Sequence, residues 1–164
     1  KTWRKLHIGL DPDTGEIVAS ELTTEHVGDE TALPGLLSKA DADVARFLAD
    51  GAYDGQGVYD CLAAKYGADI ALIVPPPKNA VLGGNPQRDK HIGYIGEHGR
   101  MKWQTDIGYT QRSLIEAQIG RWKEVIGESL QARDFDNQVC EISIGTKVLN
   151  RMTELGRAKY ERVV

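Results

Sequence analysis

Apolar and polar positions along the chain follow a few readable rhythms. "RKLHIGLD" and "GEIVASELTT" are apolar, β-branched runs joined by "DPDTGE", whose Pro, Asp and Gly signal a turn, so they predict a β-hairpin. "GDETALPGLLSKA" predicts a helix, with Asp29 or Thr31 placed to cap it and Pro34 admissible only near its start. "VARFLADGAYDG" reads as a short strand ending at Ala49–Asp50 and a glycine-marked loop, with a helix over 57–66 beyond it. "DIALIVPPP" is a buried strand stopped by three prolines. Residues 78–108 are rich in Gly, Lys and His without a clear period, and predict a long loop or a small irregular insertion. "VCEISIGTKVLNRMTELGR" predicts a last helix, broken at or before Gly156. Strands alternating with helices make the fold class a mixed α/β layer structure, read as one domain over 1–164.

The stretch "YTQRSLIEAQIGRWK" (109–123) predicts an amphipathic helix with an unusual polar side. At about 100° per residue, Tyr109, Arg112, Glu116 and Lys123 fall within roughly 60° of one another. Leu114, Ile115, Ile119, Trp122, Val125 and Ile126 lie opposite and predict the packing surface. A solvated Glu–Arg pair at i, i+4 explains the stripe blandly. An acid held among hydrogen-bond donors for chemistry is the alternative.

Composition narrows the setting. The 164 residues are 41% hydrophobic, enough for a core, and no run approaches a membrane span. Cys61 and Cys140 lie far apart and form no CxxC, which predicts two buried thiols and a cytoplasmic setting. The net charge is −4, yet charge is unevenly placed. Residues 1–77 hold six Lys/Arg against thirteen Asp/Glu, whereas 78–102 and 147–164 each hold five against two. A polyanion can be met by the two basic segments.

Most motif-like strings fail on spacing. "GYIGEHG" is neither a dinucleotide fingerprint nor a P-loop, no GxSxG or HExxH occurs, and His91 and His98 lack further ligands at zinc spacing. His7, in a strand, reads as structural. Carboxylates remain. Asp50 stands where a strand runs out into "DGAYD", and Glu116 sits on the helix sixty-six positions later. Two such acids can bind Mg²⁺, and a pair of ions can activate an attacking hydroxyl in phosphodiester cleavage. Asp54 and Asp60 are nearby acids, Asp54 better suited to shaping the loop.

"ADGAYD" followed by "GYTQRSLIEAQIGRWKEVIG" resembles the DDE transposases of bacterial insertion sequences, in the class marked by Tyr-x2-Arg-x3-Glu-x6-Lys. Tyr109, Arg112, Glu116 and Lys123 match all four positions, and "RKLHIGLD", "LQAR" and "VLNRM" extend the likeness along the chain. The resemblance implies a ribonuclease-H-like domain that cuts DNA at transposon ends and joins the 3′ hydroxyls to a target. Asp50 and Glu116 are then the second and third catalytic acids, holding Mg²⁺ or Mn²⁺. Tyr109, Arg112 and Lys123 are DNA-binding residues, and the partners are DNA and a second copy in a homodimer near the nucleoid.

The chain departs from the family at one place. Members carry a first catalytic Asp on a strand before the hairpin, in the middle of the sheet between the strands of "RKLHIGL" and "RFLAD", and no such strand precedes "RKLHIG" here. Asp11 and Asp13 sit in the hairpin turn, where Asp is favoured for backbone reasons. The expectation is a ribonuclease-H-like mixed sheet lacking its central strand, inactive alone and holding metal weakly. A non-catalytic DNA-binding remnant and a self-associating fragment with unpaired strand edges are the competing readings.

Overall fold

The hairpin forms where alternation placed it. In this computed structural model, which describes residues 3–156, β1 (Arg4–Leu10) pairs antiparallel with β2 (Ile17–Thr24). Asp11 holds the connecting turn by accepting from the Asp13 amide and the Thr14 hydroxyl, both at 2.9 Å. These bonds stabilise the charged carboxylate and lower its pKa, the Asp13 amide most. His7 is buried and structural, 2.9 Å from the Thr23 hydroxyl.

α1 (Asp29–Ser38) departs from expectation at both points where the sequence was specific. Gly28 is its N-cap and no side chain caps it; Asp29 instead faces His7 at 3.7 Å and Lys5 at 3.8 Å. Pro34 lies in the helix interior, where its missing N–H leaves the Glu30 carbonyl without its usual partner. Burial of Ala32, Leu33, Leu36 and Leu37 outweighs that loss, and Lys65 binds the Leu37 and Ala40 carbonyls at the helix end.

β3 (Arg46–Leu48) pairs parallel with β4 (Ala71–Ile73), and α2 (Gln56–Tyr66) connects them. Among the described residues the strands thus make two separate two-stranded sheets. The mixed α/β class stands, but these strands alone do not form one ribonuclease-H-like sheet. Leu33 and Leu37 of α1 pack with Val58, Leu62 and Leu72 under β3–β4, while Leu36 meets Ala19 of β2. One helix therefore serves both sheets.

Residues 78–108 are not a loop. After an irregular start they form α3 (Pro86–His98) and α4 (Arg100–Asp106). The buried residues there are His91 and Trp103, a pair that no apolar period reveals. Asn85 caps α3 by accepting from the Gln87 amide at 2.9 Å, with Pro86 at the first position, and this was the legible start signal. Two residues of α3 serve the free edge of β4. Gln87 donates to the Ile70 carbonyl (2.8 Å) and accepts from the Leu72 amide (3.0 Å), and His91 Nε2 lies 2.8 Å from the Leu72 carbonyl.

The predicted helix over 109–123 begins as a 3₁₀ turn, Tyr109–Arg112, and becomes α5 at Ser113–Val125. Its expected packing face is only partly covered. Trp122 is buried, while Leu114, Ile119 and Val125 are exposed. α6 (Phe135–Glu154) starts earlier than predicted, because Asp134 caps it through the Asn137 amide. The thiols are not buried: Cys61 is half-buried and Cys140 exposed. Trp122, Ile142 and Leu149 join Ile17 and Leu22 in a second core. On the outer edge of β2, Asn150 accepts from the Ile17 amide (2.8 Å) and donates to its carbonyl (2.9 Å).

Gly145 is where α6 admits the indole of Trp122; a Cβ there would stand 2.7 Å from Cη2. Gly120, also helical, has open space around it. Gly120→Ala should therefore raise stability by about 0.5–1 kcal/mol through helix propensity. Gly145→Ala has the same propensity gain but must displace a buried ring, an overpacking cost of about 1–3 kcal/mol, so it should lower stability. Urea denaturation decides this; stabilisation by both substitutions would show that Trp122 is not held by Gly145.

Candidate functional site

Asp50 leaves the sheet just past β3, after the buried Ala49, whose amide still reaches the Ile73 carbonyl at 3.3 Å. Its Oδ1 accepts from the Ala52 amide at 2.9 Å, capping a 3₁₀ turn, Gly51–Tyr53. Its Oδ2 faces Arg112 Nη2 at 3.7 Å. Arg112 Nη1 donates to Glu116 Oε1 at 2.8 Å. One guanidinium thus stands against both acids, sixty-six positions apart in sequence. Glu116 lies in the first turn of α5, the positive end of the helix dipole. Exposed ion pairs contribute little to stability, so the contact matters as a placement of charge.

Tyr109 is half-buried against Trp103, ring centroids 5.3 Å apart. Its hydroxyl pKa is raised, chiefly by burial; Arg112 opposes this, and Asp50 and Glu116 add to it. The phenol therefore stays a protonated donor at neutral pH. Tyr53, beside Asp50, is pushed up to about 12 by burial, with Asp29 and Asp50 adding. Lys123 is exposed and meets no partner among the described residues; two helical turns separate it from Glu116, about 10 Å along the axis. Arg112 thus contacts both Asp50 and Glu116, Tyr109 lies within the reach of their charges, and Lys123 stands apart on the helix.

Both nearby acids have local partners. Asp54 is nearly buried and accepts from Arg88 Nε at 2.9 and 3.0 Å, and Asp60 accepts from Gln56 at 2.8 Å. Sequence reasoning missed Arg46, whose guanidinium donates to Gln111 at 2.8 Å inside the 3₁₀ turn, and it missed Trp103 behind Tyr109. A lone Arg at a strand start carries no pattern, but a tryptophan six residues before the signature tyrosine was a usable sign.

The basic count of 78–102 overstates the free charge. Arg88 is paired with Asp54 and Lys102 with Asp106 at 2.7 Å, whereas Arg100 donates to the neutral Pro76 carbonyl at 2.6 Å and keeps its charge. Lys78 and Lys90 remain exposed without a side-chain partner among the described residues. In the other basic segment, Lys147 is exposed and Arg151 pairs with Glu154, while positions beyond 156 lie outside the described residues.

Together these features define an α/β domain that presents two carboxylates and several cations at the junction of a strand end and a helix. Residues 1–151 match the family model described as the transposase DDE domain, and the chain belongs to that family. The family's role is DNA transposition, and its members generally use divalent metal ions. No solved structure matches the chain. Among the described residues no helix is long and apolar enough to cross a membrane, and no group of three His, Cys, Asp or Glu side chains forms a metal-binding cluster.

The two classes of cation should respond differently to removal. The Asp54 side chain is 3% exposed, so Arg88→Met leaves a buried carboxylate unpaired and should lower stability by about 3 kcal/mol. Lys102→Met removes an exposed pair and should leave the melting temperature unchanged. Equal effects in thermal melts would contradict the structural role of the Arg88 pair.

Proposed function

We propose that this chain is the catalytic part of a DDE transposase, cleaving DNA at transposon ends and transferring the strand to a target. Asp50 and Glu116 are two of its three carboxylates, and Tyr109, Arg112 and Lys123 grip DNA. The observation that carries this reading is the convergence of Asp50 and Glu116 on the Arg112 guanidinium. Hydrolysis needs an activated hydroxyl beside a held phosphate, and acids with adjacent donors suit both tasks.

The donor set fits a hard divalent cation in kind. Asp50 turns Oδ2 towards the site, and Glu116 Oε2 has no protein partner among the described residues. Carboxylate oxygens are what Mg²⁺ and Mn²⁺ prefer. Such an ion, when held by Asp50 and Glu116, supplies Lewis-acid polarisation of the phosphate and an activated oxygen nucleophile. Arg112 offers a forked guanidinium to phosphate oxygens, Lys123 a point charge, and the protonated Tyr109 a hydroxyl donor and a ring face.

The third acid, in this reading, comes on a strand between β1 and β3. Each of these has one edge without a strand partner among the described residues, whereas helix side chains bind the outer edges of β2 and β4. A segment outside these residues or a second copy of the chain can fill the gap, and a homodimer is the favoured form. Light scattering showing a monodisperse monomer at high concentration would rule out strand sharing.

Binding to duplex DNA should weaken with salt despite the net charge of −4. Replacing Arg112 and Lys123 with Ala should flatten the slope of log affinity against log salt by about two units. Parent and variant slopes that coincide would mean these residues do not meet phosphate. Calorimetric titration with Mn²⁺ should find at most one weak site, lost in Asp50→Asn and in Glu116→Gln. Two tight sites would require an unrecognised ligand.

A further inference from the structure

We infer that Trp103 and His91 are positioning residues for Tyr109, holding its ring at the DNA-facing site from the edge of β4. The inference deepens the proposed function and rests on it for what Tyr109 does. Trp103 is 1% exposed, and its Nε1 donates to His91 Nδ1 at 3.1 Å. An indole N–H can only donate, so Nδ1 must accept, and the imidazole proton sits on Nε2, donating to the Leu72 carbonyl at 2.8 Å. The chain Leu72–His91–Trp103 is thus fully satisfied and permits one histidine tautomer. A satisfied buried polar chain costs more to rearrange than an apolar contact, so it specifies one geometry.

The far end of that chain is the ring of Tyr109, tilted 38° against the indole. Gly108, at φ 75° and ψ 21°, turns the backbone so that Tyr109 folds back on a residue only six positions earlier. That left-handed conformation suits glycine, and a Cβ there would also approach Arg46 Nη1 at 3.6 Å. Arg46 in turn holds Gln111, two residues past Tyr109. The aromatic face therefore has its position set from β4 through α3 and α4, while Arg112 and Glu116 are placed by the turn and α5. The segment 78–108 becomes the mount for one side of the site.

A double-mutant cycle on the full chain, read by anisotropy of a short fluorescein-labelled duplex at fixed low salt, tests this. Tyr109→Ala and Trp103→Phe should each weaken binding at least about fivefold, the scale of one lost aromatic–base contact. Trp103→Phe added to Tyr109→Ala should change affinity by less than about twofold, because its effect passes through Tyr109. Multiplicative losses would overturn the positioning role and leave Trp103 a core residue. Unchanged affinity in Tyr109→Ala alone would instead overturn the DNA-binding reading of Tyr109, and the inference with it. Thermal melts check that each variant folds. If Trp103→Phe does not, His91→Leu, which removes both ring nitrogens and so leaves the Trp103 N–H without its acceptor, completes the same cycle.

Discussion

Strand edges must hand their backbone donors and acceptors to something, and here helix side chains receive them. Asn150 reproduces a strand's pair of bonds on Ile17, and Gln87 with His91 does the same along Ile70 and Leu72. Each arrangement places its helix at one distance and one rotation, because an amide or imidazole reaches only a few ångströms. α6 is thereby set over β2, and α3 over β4. The hydrophobic contacts then fill in behind: Leu149 and Ile142 under the hairpin, Trp103 behind His91. Apolar burial supplies most of the driving force, but it is not directional, and the edge bonds decide which packing wins.

From that frame the site needs few further parts. Ile73 holds Ala49 in register, so Asp50 emerges where the strand stops. Arg121 ties α5 to α6 by donating to Thr153 and the Leu149 carbonyl, and Arg46 of β3 donates to Gln111 in the turn that leads into α5. Arg112 then meets two acids at once. Their mutual repulsion is relieved by a guanidinium with donors to share, and the arrangement assembles without burial of any of the three.

The legible parts of the chain were those where one periodicity ruled. The β1–β2 alternation, the short apolar run of β4 and the 3.6 spacing of α6 all needed only side-chain polarity to be read. The approach of Asp50 and Glu116 to one guanidinium agrees with the strand-end position of the first and the helical stripe that carries the second. What failed to show was structure held by polar side chains. α3 and α4 bury a histidine and a tryptophan that satisfy each other, so an apolar count finds nothing there. Asp29 looked like a cap, but a caged His7 and a nearby Lys5 compete for the same carboxylate. Pro34 argues against a helix interior only when local cost exceeds tertiary gain, and four buried neighbours reverse that balance.

Charge shows the same limit of linear reading. Summed along the sequence, 78–102 is a basic block; in space Arg88 and Lys102 are matched by Asp54 and Asp106. A matched pair has almost no field beyond a Debye length of about 8 Å, so it attracts no distant polyanion. Arg112 is matched too, by Asp50 and Glu116 together, so its charge also does not stand alone. Arg46, bonded only to the neutral Gln111, keeps its charge beside the same turn, and Lys123 keeps its own on α5. Unmatched cations therefore stand at several places on the chain: Arg46 and Lys123 on either side of this turn, and Lys78, Lys90 and Lys147 exposed elsewhere, even though the chain as a whole is acidic.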